Sequence, residues 1–215
     1  MTSTFVRRML LVAATAAAAL TGMNCNPNAG SIFPMTIGST WNTESHTLGG
    51  PTGGALDTSE TGVTTTTALD KANLTNGKEV VRFRHESSVH VFEPDSSYST
   101  TTYTFLREED DVIMVYAALD DTIGDTLMMV NPAVGQDWGQ GIATAIIVGQ
   151  EDVTVPAGTY KKAWKVKTVA NLGVVTVEVI TWYARGIGNV KMHSEAEFLS
   201  SISVIDEELT SATIK

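Results

Sequence analysis

The chain of 215 residues contains a single cysteine, Cys25. One cysteine cannot form an internal disulfide, so the fold must be stabilised by its core alone. Cys25 ends a segment in which Arg7 and Arg8 precede an apolar run at residues 9–20. An export signal typically has a basic N-terminal region, a short apolar run and small residues near its cleavage site. The apolar run here is shorter than the roughly 18 residues of a membrane-spanning helix. We therefore predict a signal peptide at residues 1–25.

The position of Cys25 directly after this signal is typical of bacterial lipoproteins, in which the signal is cut before the cysteine and acyl chains are attached to it. Buried acyl chains stabilise membrane attachment by about 0.8 kcal/mol per CH₂ group. We expect a lipidated Cys25 that holds the protein on a membrane of the bacterial envelope, on the outer membrane or the periplasmic side. The alternative is an ordinary cut near Ala19 or Gly22, which would leave a free thiol on a periplasmic or secreted protein.

Basic residues are scarce, with 14 Lys and Arg against 24 Asp and Glu and a net charge of -10. Electrostatic binding to DNA or RNA requires clustered cations that displace counterions. The densest basic group is Lys161, Lys162, Lys165 and Lys167. No nucleic-acid partner is therefore expected.

Helical periodicity is also missing, while Thr, Val, Ile and aromatic residues recur in short runs between turn residues. This pattern predicts an all-β protein with one domain at residues 33–215. Residues 26–32 are predicted to be a flexible tether, and residues 46–62, rich in Gly, Thr and Ser, a loop. Alternation in the next strand predicts that Phe83 and His85 face the core while Arg84 faces solvent.

Two turns are indicated by their residue types. Asn76 and Gly77 are predicted to supply the two positive φ angles of a tight hairpin. In the second turn, Pro156 fixes φ at the first corner and Gly158 takes a positive φ that closes the loop.

Two predicted strands, residues 112–118 and 142–148, are apolar on both faces for much of their length. We interpret them as central strands or as the lining of a hydrophobic concavity. The candidate residues for binding a hydrophobic ligand there are Met114, Tyr116, Met128, Met129, Ile146 and Val148. The alternative is that these side chains form ordinary core.

Motifs for catalysis and metal binding are absent from the sequence. No Gly-x-Ser-x-Gly or Ser-x-x-Lys motif occurs, and the histidines form no zinc-type pair. These histidines are His46, His85, His90 and His193. We expect no catalytic residues, no metal and no cofactor, and so not an enzyme. A hydrolase with carboxylates that are paired only in space is the alternative.

Four short motifs stand out in the sequence, and the first two share one pattern. Residues 33–41 and 131–138 each contain Pro, a spacer, a β-branched residue, Gly, two polar residues and Trp. We interpret them as two similar corners at which a strand begins with an apolar anchor. Residues 153–160 read Val-Thr-Val-Pro-Ala-Gly-Thr-Tyr, and residues 182–191 read Trp-Tyr-Ala-Arg-Gly-Ile-Gly-Asn-Val-Lys.

Together these motifs resemble the TapB-like family of uncharacterised bacterial envelope lipoproteins. The resemblance covers residues 33 to 215. It implies a strongly curved antiparallel sheet, a half-barrel or open barrel similar to lipoprotein-carrier folds, and a lipidated N-terminus. It implies no catalytic residues.

Our first functional expectation is a non-enzymatic module that binds an envelope protein partner or has a structural role. The alternative is a carrier that holds a lipid or other hydrophobic ligand on its concave sheet face. A partner-binding module should show an exposed apolar patch or an edge strand, whereas a carrier should show a dry groove.

Overall fold

The computed structural model describes residues 31–139 and 142–215, which contain no helix. These residues form one sheet of twelve strands in which every neighbouring pair is antiparallel. The strands are β1 (Thr40–Pro51), β2 (Asp57–Asn73), β3 (Glu79–Val91), β4 (Ser96–Glu109), β5 (Val112–Tyr116), β6 (Asp125–Met129), β7 (Asp137–Trp138), β8 (Ala143–Val155), β9 (Gly158–Asn171), β10 (Val175–Ala184), β11 (Gly188–Phe198) and β12 (Ser201–Thr213). The predicted all-β single domain is confirmed.

The sheet curls into a nearly closed barrel. Its order is β6-β5-β4-β3-β2-β1-β12-β11-β10-β9-β8-β7, so two six-stranded meanders join where β1 pairs with β12. The free ends, β6 and β7, approach each other, and the indole Nε1 of Trp138 donates a hydrogen bond of 2.9 Å to the carbonyl oxygen of Thr126. The expected strongly curved antiparallel sheet is therefore confirmed.

The core fills the inner face of this sheet. Phe33, Trp41 and Phe83 pack at its centre, with ring centroids 5.5 to 6.2 Å apart. Phe83 and His85 are buried as alternation predicts. Aromatic rings bury a large apolar area each, so this trio is a central part of the hydrophobic core.

The two Pro-to-Trp corners adopt the same local structure. Gly38 and Gly135 both have positive φ, +85° and +88°. The Gly38 N–H donates to Ala68 O, and the Gly135 N–H donates to Ile147 O, each at 2.8 Å. The next residue in each corner accepts a bond from the same neighbour, since Ala68 N donates to Ser39 O and Ile147 N to Gln136 O. The interpretation as two similar strand-entry corners is confirmed.

The hairpins follow their predicted positions, with one change of turn type. Gly77 has φ +83°, but Asn76 does not share its positive φ. Asn76 instead accepts the Lys78 N–H on its side-chain oxygen at 3.1 Å. Two consecutive positive φ angles occur at Asp110 and Asp111, 49° and 67°, which join β4 to β5. Short acidic side chains tolerate this conformation better than most residues, so the acidic bend is the tighter turn.

Two predicted irregular segments are corrected. Only residues 52–56 of the loop predicted at 46–62 are irregular, because β1 extends to Pro51 and β2 begins at Asp57. Backbone pairing between these long strands orders a polar stretch that lacks an apolar pattern. Of the predicted tether, residues 26–30 lie outside the described residues. Ile32 is fully buried in the core, so the packed chain begins before Phe33. In the described ranges, no helix is long and apolar enough to cross a membrane.

Candidate functional site

The six residues predicted to bind a hydrophobic ligand do not share one surface. Met128 is fully buried in the main core and Met129 packs partly buried against it. Tyr116 and Met114 belong to a separate cluster on the outer face of the sheet, together with Leu74, Val80 and Phe105. Ile146 and Val148 are exposed to solvent, by 39% and 44%.

The strands that carry these residues are also not central. β5 and β8 each lie next to a terminal strand of the sheet. The turn around Leu74 covers the apolar outer face of β5. The apolar outer face of β8 is exposed to solvent. Cys25, the predicted lipidation site, lies outside the described residues.

The feature that stands out is the edge of β4. β3 pairs with β4 from Ser96 to Leu106, but β5 pairs only with its last five residues, from Phe105 to Glu109. No other described strand pairs with residues 99–104. We call residues 99–104 the β4 edge. Such an edge presents backbone N–H and C=O groups that a further strand can pair with.

This edge has none of the features that usually block pairing. Its sequence is Ser-Thr-Thr-Thr-Tyr-Thr, without charge, Pro or Gly. Its register with β3 continues without a bulge from Ser96 to Leu106. Natural edge strands are usually protected by charges, prolines or bulges, and an unprotected edge can accept a further strand through main-chain hydrogen bonds.

The edge of β8 on the opposite side of the sheet is protected. Its register with β9 shifts twice, between Ile147 and Gly149 and between Glu151 and Val153. It also carries two charges: Glu151 accepts hydrogen bonds from Trp182 Nε1 at 2.6 Å and Lys165 Nζ at 3.1 Å. Asp152 pairs with Lys161 Nζ at 2.7 Å. Bulges and charges on one edge and their absence on the other distinguish β4 as the available strand.

A pocket of about 480 Å³ lies beside the β4 edge. Strand alternation places eight of its lining side chains on the outer face in two rows that cross β1 to β4. The first row is Glu44, Val63, Ser88 and Ser99, and the second is His46, Thr61, His90 and Ser97. We call this the hydroxyl-rich pocket.

Hydrogen bonds organise the side of this pocket nearest the edge. The hydroxyls of Ser88 and Ser99 lie 3.0 Å apart, and His90 Nδ1 lies 3.2 Å from the Ser97 hydroxyl. His90 also packs edge-on against the ring of Phe92, at 4.7 Å between ring centroids. β4 is thus both the outer wall of the pocket and the strand whose edge is open.

Exposed aromatic side chains concentrate on the same hairpin. Phe92, Tyr98 and Tyr103 are each 44% to 45% exposed, and all three lie on β4 or in the turn before it. Arg82 lies over the Tyr103 ring, with its guanidinium carbon 5.8 Å from the centroid. Aromatic and arginine side chains are enriched in protein interfaces, so the exposed faces of this hairpin suit a protein contact.

The buried titratable groups Glu207 and His85 lie on the inner face, away from the hairpin tip. Burial raises the pKa of Glu207 to about 8, opposed in part by a hydrogen bond with Thr43. Burial lowers the pKa of His85 to about 4. His85 Nδ1 lies 2.9 Å from the Thr66 hydroxyl and Nε2 lies 2.8 Å from that of Thr104. A neutral imidazole satisfies both contacts, so His85 is a structural core histidine.

The described part of the chain holds no cluster of three or more His, Cys, Asp and Glu side chains placed to bind a metal ion. His85 and His90 lie on opposite faces of β3, as strand geometry predicts.

The β4 edge was not identified from the sequence. The available signal was the run of Ser, Thr and Tyr at residues 96–104, after which the first buried apolar residues are Phe105 and Leu106. Since both faces of such a strand are solvated, the run indicates a segment that extends beyond the core, where a neighbouring strand is not required.

No family model matches this chain, and no curated protein matches it. The TapB-like resemblance is therefore not confirmed.

Two solved structures are similar to the chain. One is a protein of Bacteroides fragilis with a YmcC-like fold, inferred to be exported; it is 16% identical, covers 86% of this chain and 100% of its own, and has a TM-score of 0.39. The other is a protein of Parabacteroides distasonis inferred to be a lipoprotein; it is 13% identical, with the same coverage and a TM-score of 0.34.

Proposed function

We propose that this chain is an exported, lipid-anchored envelope protein that binds a protein partner by adding a strand to the β4 edge. The observation that carries the proposal is the pairing of β4, which has β3 on one side and no described strand beside residues 99–104 on the other. The export signal and Cys25 support the location, and the edge supports the activity.

Strand addition gives affinity through main-chain hydrogen bonds and selectivity through alternate side chains. On the inner face, the incoming strand meets Thr100 and Thr102. On the outer face it meets Thr101 and Tyr103, with Arg82 over the Tyr103 ring. A partner strand with β-branched or aromatic residues fits these neighbours, because such cross-strand pairs stabilise a sheet by about 0.2 to 1 kcal/mol each.

The lipid anchor would favour partner binding by raising the local concentration of the domain at the membrane. Acyl chains on Cys25 would confine the domain to a membrane surface, where an edge of modest affinity meets its partner at a high effective concentration. The predicted carrier function is less well supported, since its six candidate residues are divided between core, outer cluster and solvent.

The test is photo-cross-linking of the lipidated chain in a bacterial envelope. A photoreactive p-benzoylphenylalanine at Thr101, on the open edge, should give a protein adduct of discrete mass. The control position is Thr176, which is also exposed but lies on a strand paired on both sides. The adduct should disappear when Thr100→Lys is added, because an inner-face lysine on an edge strand opposes pairing.

Equal adducts at both positions, or none at Thr101, would contradict strand addition. Native mass spectrometry of the same protein tests the alternative function as a carrier of a hydrophobic ligand. A stoichiometric lipid that survives purification would favour a carrier, and a clean protein mass would not.

A further inference from the structure

We propose that one end of the barrel inserts its hairpin tips into the surface of a lipid bilayer, so that the domain contacts the membrane directly as well as through the proposed anchor at Cys25. The tips are the β1–β2 turn (residues 51–56), the β9–β10 turn (residues 171–175) and the β11–β12 turn (residues 198–201), with Ile142 at the start of β8. We call these residues the apolar ridge. The insertion does not depend on the β4 edge.

Backbone contacts join the tips into one ridge. The Asn171 N–H donates a hydrogen bond of 2.8 Å to Ile142 O, and the Thr52 N–H donates one of 2.9 Å to Ser200 O. Between these two contacts, β10 and β11 are paired up to their ends at the ridge. The segments therefore lie side by side at the same end of the sheet.

The ridge exposes apolar side chains and carries no charge. Leu199 and Val174 are 76% and 69% exposed, and Ile142 and Phe198 are 48% and 45% exposed. No residue of the ridge is charged, although 18% of the chain is. Charged side chains are costly to bury in a bilayer, so a segment that enters one is expected to lack them. The composition of the ridge meets this condition.

The other turns of the barrel differ from the ridge. Those at the opposite end carry Lys78, Asp110, Asp111 and Arg185. The β3–β4 turn, which follows the ridge at the same end, contains two acidic residues at positions 92–95. The uncharged apolar character is therefore confined to one part of one end of the barrel.

Leu199 has a backbone conformation that its residue type disfavours. It is the first of the two residues that join β11 to β12, and its φ is +53°. Tight hairpins usually place Gly, Asn or Asp where φ is positive, because a larger side chain is strained there. An exposed leucine at this position is favoured neither by the turn nor by the core. Strain of this kind indicates a functional contact outside the chain.

The shape of the ridge favours a lipid surface. Sites for small molecules are concave, whereas the ridge consists of the projecting tips of adjacent hairpins. A protein partner would have to supply a matching groove, while fluid acyl chains close around any projecting apolar side chain. Phe and Leu side chains are buried in this way where amphipathic segments lie at the boundary between headgroups and acyl chains.

The predicted anchor can reach the same bilayer. Ser31 lies at the far end of β10, where its carbonyl oxygen accepts a hydrogen bond of 3.0 Å from Gly186 N. The ten residues of β10 extend over about 30 Å. The six steps from Cys25 to Ser31 span at most about 22 Å. Both contacts therefore fit one bilayer when β10 inclines by more than about 40° from the membrane normal, and strands in barrels typically tilt by about 35–45° from the barrel axis.

The charges beside the ridge determine its lipid preference. Asp57 and Glu197 each lie one residue beyond it, and the net charge of the chain is -10. Anionic headgroups would repel these flanks. Insertion of apolar side chains involves no ion pairs for salt to screen. The ridge should therefore favour zwitterionic lipid and bind it independently of salt.

Vesicle partitioning of the chain from residue 26 onward tests the insertion. This form contains every described strand and lacks the apolar run at residues 9–20, which would bind lipid by itself. We expect it to bind phosphatidylcholine vesicles at low and high salt. Replacing part of the lipid by anionic phosphatidylglycerol should weaken the binding at low salt.

Three variants locate the contact. Leu199→Asn should leave the melting temperature unchanged or raise it, because asparagine tolerates a positive φ. We expect Leu199→Asn and Val174→Asp each to lower the partition coefficient by about fivefold or more, because each removes an apolar side chain from the contact. Val134→Asp is the control, since Val134 is 64% exposed but lies outside the ridge. Its partition coefficient should equal that of the parent.

Spin labels measure depth in the same form of the chain, which lacks the only native cysteine. A nitroxide on Leu199→Cys should become accessible to oxygen and shielded from a water-soluble nickel chelate when vesicles are added. A nitroxide on Val134→Cys should stay accessible to the chelate.

No partition into phosphatidylcholine vesicles, or equal partition of Leu199→Asn, Val174→Asp and the parent, would overturn membrane insertion. Failure of this proposal and failure of strand addition are distinguishable. Thr100→Lys should leave vesicle partition unchanged, and Leu199→Asn should leave the cross-linked adduct at Thr101 intact. Loss of partition with the adduct retained removes membrane insertion alone, and loss of the adduct with partition retained removes strand addition alone.

Discussion

The indole of Trp138 and the carbonyl of Thr126 join the two ends of a twelve-stranded sheet. Their hydrogen bond measures 2.9 Å and connects β7 to β6, the strands with which the sheet order begins and ends. The corresponding tryptophan of the first corner, Trp41, lies fully buried, and its Nε1 donates to Ile187 O at 3.4 Å. In both corners, the indole of the tryptophan at the start of a strand therefore donates a hydrogen bond to the other six-stranded half of the barrel.

Removing the Trp138 donor should loosen this closure. Trp138→Phe retains an aromatic ring but leaves Thr126 O without its partner, at a cost of about 1 kcal/mol in the free energy of unfolding. Trp164→Phe is the matched control, since Trp164 is also half-buried against the core and the structure describes no hydrogen bond from its indole. Urea unfolding should show Trp138→Phe to be the less stable of the two. Equal losses would show that the bond does not contribute.

The β8–β9 hairpin depends on the backbone of Gly158. Its φ is +138°, which a β-branched residue adopts only with strain, although no atom lies within 4 Å of the added Cβ. Gly158→Val should lower the free energy of unfolding by about 1 to 3 kcal/mol. Gly149→Ala, in the same strand pair and equally open, has no such φ and should change it by less than about 1 kcal/mol. An unchanged melting temperature in Gly158→Val would contradict this turn assignment.

Glu207 should make the protein less stable as the pH rises. Burial raises its pKa in the folded state from 4.5 to about 8, so between these values the folded state retains a proton that the unfolded state has released. Stability then falls with increasing pH across this window, by an amount of order 4 kcal/mol in total. Thermal unfolding between pH 5 and 9 measures the slope.

Glu207→Gln keeps the side-chain shape and removes the titration. The variant should be more stable than the parent chain at pH 8, and its stability should no longer fall between pH 5 and 8 by this amount. A slope identical to that of the parent would show that Glu207 is solvated in the folded protein.

His85 should have the opposite effect on the acid side. Burial lowers its pKa in the folded state from 6.5 to about 4, so between these values the unfolded state binds the extra proton. Stability is therefore lost as the pH falls from 6.5 towards 4, by about 3 kcal/mol. His85→Gln should be less sensitive to acid over this range in urea unfolding. Equal acid sensitivity of the two chains would contradict a buried neutral imidazole.

Much of the fold follows from local sequence patterns. Alternation placed Phe83 and His85 inside, and the residues around Gly158 defined a hairpin, because both depend on interactions between near neighbours. Most of residues 46–62 were misassigned as a loop, since their order comes from pairing with strands distant in sequence.

The candidate site could not be derived in the same way. Whether a strand edge is open depends on which neighbour stops short, and β5 stops at Tyr116, where it pairs with Phe105. Apolar composition likewise did not distinguish Met128 in the core from Ile146 in solvent, because the face of each strand depends on bulges that the sequence does not mark.

The central claim is that the β4 edge pairs with a further strand, and amide hydrogen exchange measures this most directly. Exchange at residues 99–104 would be compared between the dilute Cys25→Ser chain and the lipid-anchored chain in envelope membranes, with the β8 edge at residues 150–155 as the internal control. We expect slow exchange at residues 99–104 only in the membranes, with the β8 edge unchanged. Equally fast exchange at residues 99–104 in both samples would contradict the account.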